Sequence, residues 1–306
     1  MSTPTRARDL PAQLREPAHV GALLRTALAD WSVIGCCWIV MALTPASWWP
    51  LHGLCIVLIA GRLHALGVVL HDACHLRQRP APAQVRWLQL LAGYPITTTL
   101  AAMRHHHLRH HRNSCMAQDP YFKPGASEHW WPALRARLQG LLLPPAWIVR
   151  SVIGCAALHW PALRNGYARV LLGDRSGSDL RDDAELLECL RAEPGQALFF
   201  VLVAVVAWIY PIEVALGYLL PLMLAALLNA NRVAAEHHHV LVHDREPATV
   251  VGVTRDHTGG WANRLLLYPH NIGYHVMHHL HPAVAWHNLP ALQAWYREHM
   301  QGYEAP

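Results

Sequence analysis

The sequence predicts an all-α integral membrane protein, a helical bundle with a histidine-rich cap, and three observations support this prediction. Hydrophobic residues make up 53% of the 306 residues and charged residues only 15%, against about 25% charged residues in ordinary soluble domains. Several apolar stretches approach the roughly 20 residues that cross a bilayer as a helix. The 24 histidines nearly equal the 25 lysines and arginines in number, and most of them stand in clusters.

Four apolar stretches predict four transmembrane helices, arranged as two hairpins within one domain that covers residues 1–306. The predicted spans are residues 31–49, 51–70, 197–210 and 212–230. Trp48 and Trp49, between the first two spans, suit a membrane interface. Two weaker stretches, 85–103 and 138–158, are predicted to lie in the interface or to re-enter, because a single crossing by either would put the histidine clusters on opposite sides of the membrane.

The distribution of charge predicts the orientation of the hairpins. The polar N-terminal segment, residues 1–29, contains Arg6, Arg8, Arg15 and Arg25. The turn Thr44–His52 contains neither Lys nor Arg, and arginines follow the second span. The positive-inside bias therefore predicts that both termini and the histidine clusters face the cytoplasm, in the inner membrane if the chain is bacterial.

Two further features of the composition exclude other classes of protein. The formal charge of +5 is modest, and no basic block or nucleic-acid motif accompanies it, so nucleic-acid binding is disfavoured. The 7 cysteines are scattered without a CxxC pair, which argues against a disulfide framework and against an iron–sulfur cluster.

The histidine clusters have spacings that gather imidazoles on one helix face. Residues 71–75 read HDACH, residues 105–111 read HHHLRHH, and residues 274–279 read YHVMHH. Because positions i, i+3 and i+4 lie on one face of a helix, eight rings are predicted to converge: His71, His75, His107, His110, His111, His275, His278 and His279. His237, in the cluster Glu236-His237-His238-His239, is the predicted ninth.

Eight or nine imidazoles can give two metal ions four or five ligands each. Two choices remain open at this stage: His106 has the spacing to His110 that would let it replace His107, and His238 or His239 can replace His237. Imidazole suits zinc, copper, iron or nickel. Zinc has no redox chemistry, whereas two iron ions beside a bilayer can activate O2 for chemistry on a lipid-soluble molecule. The sequence therefore favours two iron ions.

The order of these motifs resembles the membrane fatty acid desaturase superfamily, whose signature is three histidine boxes. The resemblance runs from about Leu51 to Tyr296 and includes Gln118-Asp119-Pro120 and Asn271-Ile-Gly-Tyr274. It implies that the nine histidines bind two iron ions. It also implies an O2-dependent reaction that introduces a double bond into an acyl chain of a lipid.

The electrons for such a reaction are predicted to come from another protein, because the chain shows no haem-binding module, no GxGxxG motif and no ferredoxin cysteines. The implied donor is a ferredoxin, a rubredoxin or a cytochrome b5-like protein with its reductase. The arginines near the boxes that can dock an acidic donor are Arg77, Arg79, Arg104, Arg109 and Arg112.

Other polar residues are predicted to assist the metal centre. Ligating imidazoles usually donate their second N–H to a carboxylate or a carbonyl, and the candidates for this role are Asp72, Asp119, Glu236, Asn271 and Asn231, with Asn229 beside them. Arg62 and His64 lie within the second apolar stretch and are predicted to line a substrate channel, since charges in a span are costly and usually functional.

Three alternative functions follow from the same residues. A di-iron hydroxylase or a carotenoid ketolase or hydroxylase of the same superfamily would use the same boxes. A histidine-rich metal transporter would need ionisable residues along several spans, and beyond Arg62 and His64 the spans contain almost none. The desaturase is therefore the first choice, and the substrate remains unidentified.

Overall fold

A computed structural model describes residues 10–126 and 129–299 of the chain. These residues form helices, turns and loops without a β-strand, which confirms the predicted all-α class. Arg6 and Arg8, part of the predicted N-terminal charge, lie outside the described residues. The longer helices are α1 Val20–Leu43, α2 Trp49–Ala73, α3 Pro82–Leu88, α4 Leu100–Asn113, α5 Trp130–Leu141, α6 Leu143–His159, α7 Ala184–Ile209, α8 Pro211–Glu236, α9 Pro247–Val253, α10 Trp261–Leu266, α11 His275–Leu280 and α12 Leu289–His299.

Four of these helices, α1, α2, α7 and α8, are long and apolar enough to cross a membrane, as the sequence predicts. Helix α1 begins at Val20 and α7 at Ala184, well before the predicted residues 31 and 197. The early start of α7 has a local cause, because the side chain of Asp183 accepts a hydrogen bond from the N–H of Leu186 at 2.8 Å and caps the helix. The polar residues at the start of α7, including Glu185 and Glu188, therefore belong to a helix whose apolar part begins later.

The weaker stretch at residues 85–103 does not form a continuous span. Helix α3 continues through a wide turn at Gln89–Gly93 and a tight turn at Tyr94–Ile96, and the chain then reverses at Thr97. Thr97 has a left-handed backbone with φ of 66°. Helix α4 restarts at Leu100, capped by the Thr99 hydroxyl, which accepts from the N–H of Ala102 at 3.1 Å.

The stretch at residues 138–158 becomes the pair α5 and α6, which are bent by 53° relative to each other. Arg109 of α4, before this pair, contacts Asp174 at 2.8 Å and Glu185 at 3.0 Å, after it. The segments that precede and follow the pair therefore meet at the same end of the spans, which favours a re-entrant pair over a fifth span. The Arg150 guanidinium of α6 is fully buried, 3.0 Å from the Glu193 carboxylate of α7, so this charge does not face lipid.

The C-terminal helices form a cap over one end of the bundle. Val276 and Met277 of α11 pack with Leu292 and Tyr296 of α12 and with Leu10 near the N-terminus. Gly273, just before α11, fits where a Cβ would lie 2.2 Å from the carbonyl oxygen of His257, and its own carbonyl accepts from the N–H of His257 at 2.7 Å. Because a larger residue cannot approach so closely, glycine allows this segment to bring the third histidine box to the bundle.

Candidate metal centre

The histidine boxes meet at one end of the four spans. His71 and His75 lie at the C-terminal end of α2, and His237 follows the C-terminal end of α8. The second box lies on α4 and the third on α11. Both hairpin turns, Ala46–Trp48 and the break at Tyr210, lie at the other ends of the same spans. The fold thus gathers residues that are far apart in the sequence.

The nine predicted rings form two groups, and within each group one nitrogen from every ring lies within 4.8 Å of the others. The first group consists of His71, His75, His107, His111 and His278. The second group consists of His110, His237, His275 and His279. The two groups are neighbours, since the rings of His111 and His279 stack with centroids 4.3 Å apart.

The structure separates the adjacent histidines between which the sequence could not choose. His107 stands in the first group, whereas His106 points its Nδ1 to the hydroxyl of Tyr121 at 2.8 Å. His237 stands in the second group, whereas His238 lies against the Arg255 guanidinium, with its Nε2 accepting at 2.7 Å. His239 has a left-handed backbone with φ of 50° and is likewise outside both groups.

The distances within the groups fit a bound metal ion. Two nitrogens that bind one ion at about 2.0–2.1 Å lie roughly 2.8–3.4 Å apart when adjacent and about 4.0–4.2 Å apart when opposite. The Nε2 atoms of His75 and His107 are 2.8 Å apart, those of His111 and His278 2.9 Å, and those of His275 and His237 3.0 Å. The donor set consists of nitrogens alone, which suits iron, zinc or copper and not magnesium or calcium.

Several buried nitrogens lack a hydrogen-bond partner, which also fits a metal site. The Nδ1 of His110 faces Asp119 at 2.8 Å, and its Nε2 is buried without a partner. A carboxylate on one nitrogen fixes the proton there and leaves the lone pair of the other nitrogen free for a metal. A buried polar atom without a partner costs about 1–3 kcal/mol, so a bound ion would relieve a cost that the metal-free fold carries.

Seven of the nine rings are held neutral by their surroundings. The pKa of His75 is lowered to about 3, mainly by burial and to a smaller extent by the nearby positive charge of Arg104. Burial, reinforced by neighbouring imidazoles, holds the pKa well below the ordinary value for His107, His111, His237, His275, His278 and His279. Neutral imidazole is the form that binds a metal, so the site is prepared for metal ions at physiological pH.

Two of the predicted assisting carboxylates contact rings of the second group. The Asp119 carboxylate faces His110 and also accepts the backbone N–H groups of Cys115 and Tyr121, each at 2.8 Å. Burial opposes its ionisation, but His110 and these hydrogen bonds prevail and lower the pKa of Asp119. Glu236 lies 3.5 Å from the Nδ1 of His275 and pairs with Arg232 at 2.6 Å.

The other predicted assisting residues lie elsewhere. Asp72 has one carboxylate oxygen buried without a hydrogen-bond partner. The Asn271 amide donates to the carbonyl of Trp286 at 3.3 Å. The Asn231 side chain accepts from Arg137 at 3.0 Å, and Asn229 accepts from Arg232 at 3.1 Å. None of these contacts joins a ring of either group, so the structure shows no direct contact between the three asparagines and a candidate ligand.

A cavity of about 480 Å³ lies beside the two groups, within the size range of small-molecule sites. Five candidate ligands line it: His71, His107, His110, His237 and His275. The rest of the wall is mainly apolar and comes from the embedded helices, including Leu63, Ile96, Leu143 and Leu222. The cavity therefore joins an apolar space between the helices to the candidate metal centre.

Of the two predicted channel residues, His64 lies in the wall of the cavity and Arg62 lies in the interior of the bundle. His64 lines the cavity, with its Nδ1 against the carbonyl of Leu266 at 2.8 Å. Arg62 is outside the lining set; its guanidinium pairs with Asp30 at 3.0 Å and donates to the carbonyl of Leu265. The charge of Arg62 is thus neutralised within the bundle, where its side chain connects α1, α2 and α10.

Tyr121 is a residue of the site that the sequence motifs did not predict. Its ring stacks on His110 with centroids 4.4 Å apart, it lines the cavity, and its hydroxyl reaches His106. Tyr121 follows Asp119 by two residues, so the Asp119 side chain and the tyrosine ring both contact His110. Spacing could not reveal this contact, because the loop after α4 has no regular period.

Comparison with known proteins gives one finding. A family model described as fatty acid desaturase matches residues 46–306, which include all nine rings of the two groups. No curated protein sequence matches the chain.

Proposed function

We propose, from the premise that this chain belongs to the fatty acid desaturase family, that it is an O2-dependent di-iron oxidoreductase that introduces a double bond into an acyl chain of a lipid. One observation carries the proposal. Two neighbouring groups of neutral imidazoles border a largely apolar cavity between membrane-embedded helices. This arrangement suits redox chemistry on a hydrocarbon chain and offers little to a water-soluble substrate.

The first group would hold one iron ion and the second group the other. Bound iron supplies the activation of O2 that lets hydrogen leave an unactivated C–H bond. The balanced reaction takes the saturated chain, O2, two electrons and two protons to the unsaturated chain and two waters. The two electrons have to come from an external donor, for which a ferredoxin, a rubredoxin or a cytochrome b5-like protein with its reductase is suited.

The residues of the chain contribute position and exclusion of water. The apolar wall formed by Leu63, Ile96 and Leu222 binds methylene groups and keeps water away from the reacting carbon atoms. Asp119 keeps a proton on the Nδ1 of His110, so that the Nε2 of this ring remains free to bind metal. Tyr121 packs against the same ring and restricts its rotation.

The orientation of the site in the membrane is part of the proposal. Basic residues surround the histidine end of the bundle, whereas the turn at Ala46–Trp48 contains none. The positive-inside bias therefore supports a cytoplasmic metal centre and cytoplasmic termini.

Lipid mass spectrometry of cells that express the protein with a competent donor tests this function. We expect a product two hydrogens lighter than its precursor in the wild type, and none in His110→Ala. The control is His238→Ala, since His238 is outside both groups. An oxygenated lipid would instead support the hydroxylase, and an oxygenated carotenoid in a carotenoid-producing host would support the ketolase. Equal profiles for the wild type and His110→Ala in both hosts would refute the proposal.

A further inference from the structure

One ring of the first histidine group differs from the others in its access to the surface. His75 is partly exposed, whereas His71, His107, His111 and His278 are buried. His71 and His107 line the cavity, whereas His75 does not. The exposed part of His75 therefore faces the protein surface and not the space proposed for the acyl chain. One side of the candidate metal centre therefore faces the cavity, and the other side faces the protein surface.

Three exposed arginines belong to the segments that carry His75 and the rings packed against it. Arg77 follows it by two residues in the chain. Arg104 lies one helical turn before His107, whose Nε2 is 2.8 Å from the Nε2 of His75. Arg112 is next to His111, whose ring centroid is 4.7 Å from that of His75.

These three arginines present unneutralised charge. Each is exposed, and none forms an ion pair within the part of the chain that the structure describes. Arg104 and Arg112 are eight residues apart on α4 and so stand about 12 Å apart along one face. The other two predicted arginines are paired, Arg79 with Glu188 at 3.2 Å, and Arg109 with Asp174 at 2.8 Å and Glu185 at 3.0 Å. The structure thus reduces the five predicted arginines to three.

We propose that Arg77, Arg104 and Arg112 form a docking surface, the arginine rim, for an acidic one-electron carrier protein. This inference rests on the proposed function. A positive rim attracts a carrier with acidic residues around its redox centre and aligns it before contact. The carrier's centre then lies over the exposed edge of His75, which is the shortest route from this surface to the first group.

The transfer is a simple redox step. One electron would leave the reduced centre of the carrier and pass by way of the His75 imidazole to the iron ion that the first group would hold, which it would reduce from the ferric to the ferrous state. No bond forms or breaks, and two dockings supply the two electrons of one turnover. Because donor and acyl chain approach from different sides, the carrier can exchange while the substrate remains in the cavity.

The first test measures docking without catalysis. Oxidised plant-type ferredoxin, an acidic carrier, is titrated onto the metal-free protein in nanodiscs of neutral lipid at low salt. We expect binding that weakens as salt rises, and a dissociation constant at least about tenfold higher for Arg104→Glu/Arg112→Glu. Arg104→Lys, which keeps the charge, should bind nearly as the wild type does. The matched control is Arg169→Glu, another exposed arginine without an ion pair among the described residues.

The second test separates this inference from the proposed function. Product formation driven by dithionite and methyl viologen needs no docked protein, and we expect it to be the same in the wild type and in Arg77→Glu/Arg112→Glu, which leaves the Arg104 charge beside His75 in place. Ferredoxin-driven turnover should show a higher KM for ferredoxin in Arg77→Glu/Arg112→Glu. An unchanged dissociation constant in Arg104→Glu/Arg112→Glu, or an equal rise in Arg169→Glu, would overturn the arginine rim. Docking that weakens as expected, with no desaturation under either reductant, would leave the rim standing and refute the desaturase.

Discussion

Asp119→Asn should weaken metal binding in the second group without unfolding the protein. The Asp119 carboxylate accepts three hydrogen bonds at 2.8 Å, from His110 and from the backbone N–H groups of Cys115 and Tyr121. An asparagine amide has one oxygen and one NH2 group, so it can accept at one position only. At the other position its NH2 group would face a donor.

The expected magnitude follows from the loss of the carboxylate charge and of one hydrogen bond. Loss of a carboxylate partner of a ligating histidine typically lowers metal affinity about 10–100-fold, which corresponds to about 1.4–2.8 kcal/mol. An unsatisfied buried N–H adds about 1–3 kcal/mol of lost folding stability. The affinity loss should be confined to the ion of the second group, because Asp119 contacts no ring of the first group.

The assay is competition between the purified protein and a ferrous chelator, followed as iron bound per chain. We expect two binding steps in the wild type and, in Asp119→Asn, one unchanged step and one that is about 10–100-fold weaker. Asp179→Asn is the control, because Asp179 is an exposed carboxylate that pairs with Arg181 away from the histidines. Two unchanged steps in Asp119→Asn would refute the role assigned to the carboxylate.

Three further outcomes are expected. His237→Ala should lose its activity and about half of its bound iron, whereas His238→Ala, one residue further on, should keep both. Equal losses in the two variants would contradict the grouping of the rings. Burial keeps the pKa of six candidate ligand histidines outside the spans well below the value of an unfolded chain. The unfolded state therefore binds more protons below about pH 6.5. As the pH is lowered below this value, the free energy of unfolding should decrease by up to about 1.4 kcal/mol per pH unit for each ring. Thermal unfolding of the metal-free protein at pH 7 and pH 5 checks this, and a midpoint that rises on acidification would exclude it. Finally, a membrane-impermeant maleimide on intact cells should label Ser47→Cys and spare Gln78→Cys, and the reverse pattern would invert the proposed orientation.

The sequence predicted the fold class and the four spans because bilayer crossing imposes a length and a composition that are visible locally. It predicted a shared face for His107, His110 and His111 because helical geometry fixes it. It could not predict that His110 joins a different group from His107 and His111, since that depends on where the end of α8 and helix α11 pack.

The residues whose roles differ from the sequence prediction all make contacts between segments that are distant in the chain. Arg62 indicated function by its position in a span, but Asp30, 32 residues earlier, neutralises it. Asn271 preceded the third box, yet its left-handed backbone, with φ of 59°, directs its amide to the carbonyl of Trp286. Arg79 and Arg109 resembled the other basic residues until the fold brought carboxylates to them.

The number of iron ions bound per chain tests the central claim most directly. Protein purified without oxygen and reconstituted with ferrous iron should contain two iron ions, and one each when either group is disrupted by His111→Ala or His279→Ala. A single tightly bound zinc ion with no capacity for iron, or one iron ion that is lost equally in both variants, would show that the two groups do not form a di-iron centre.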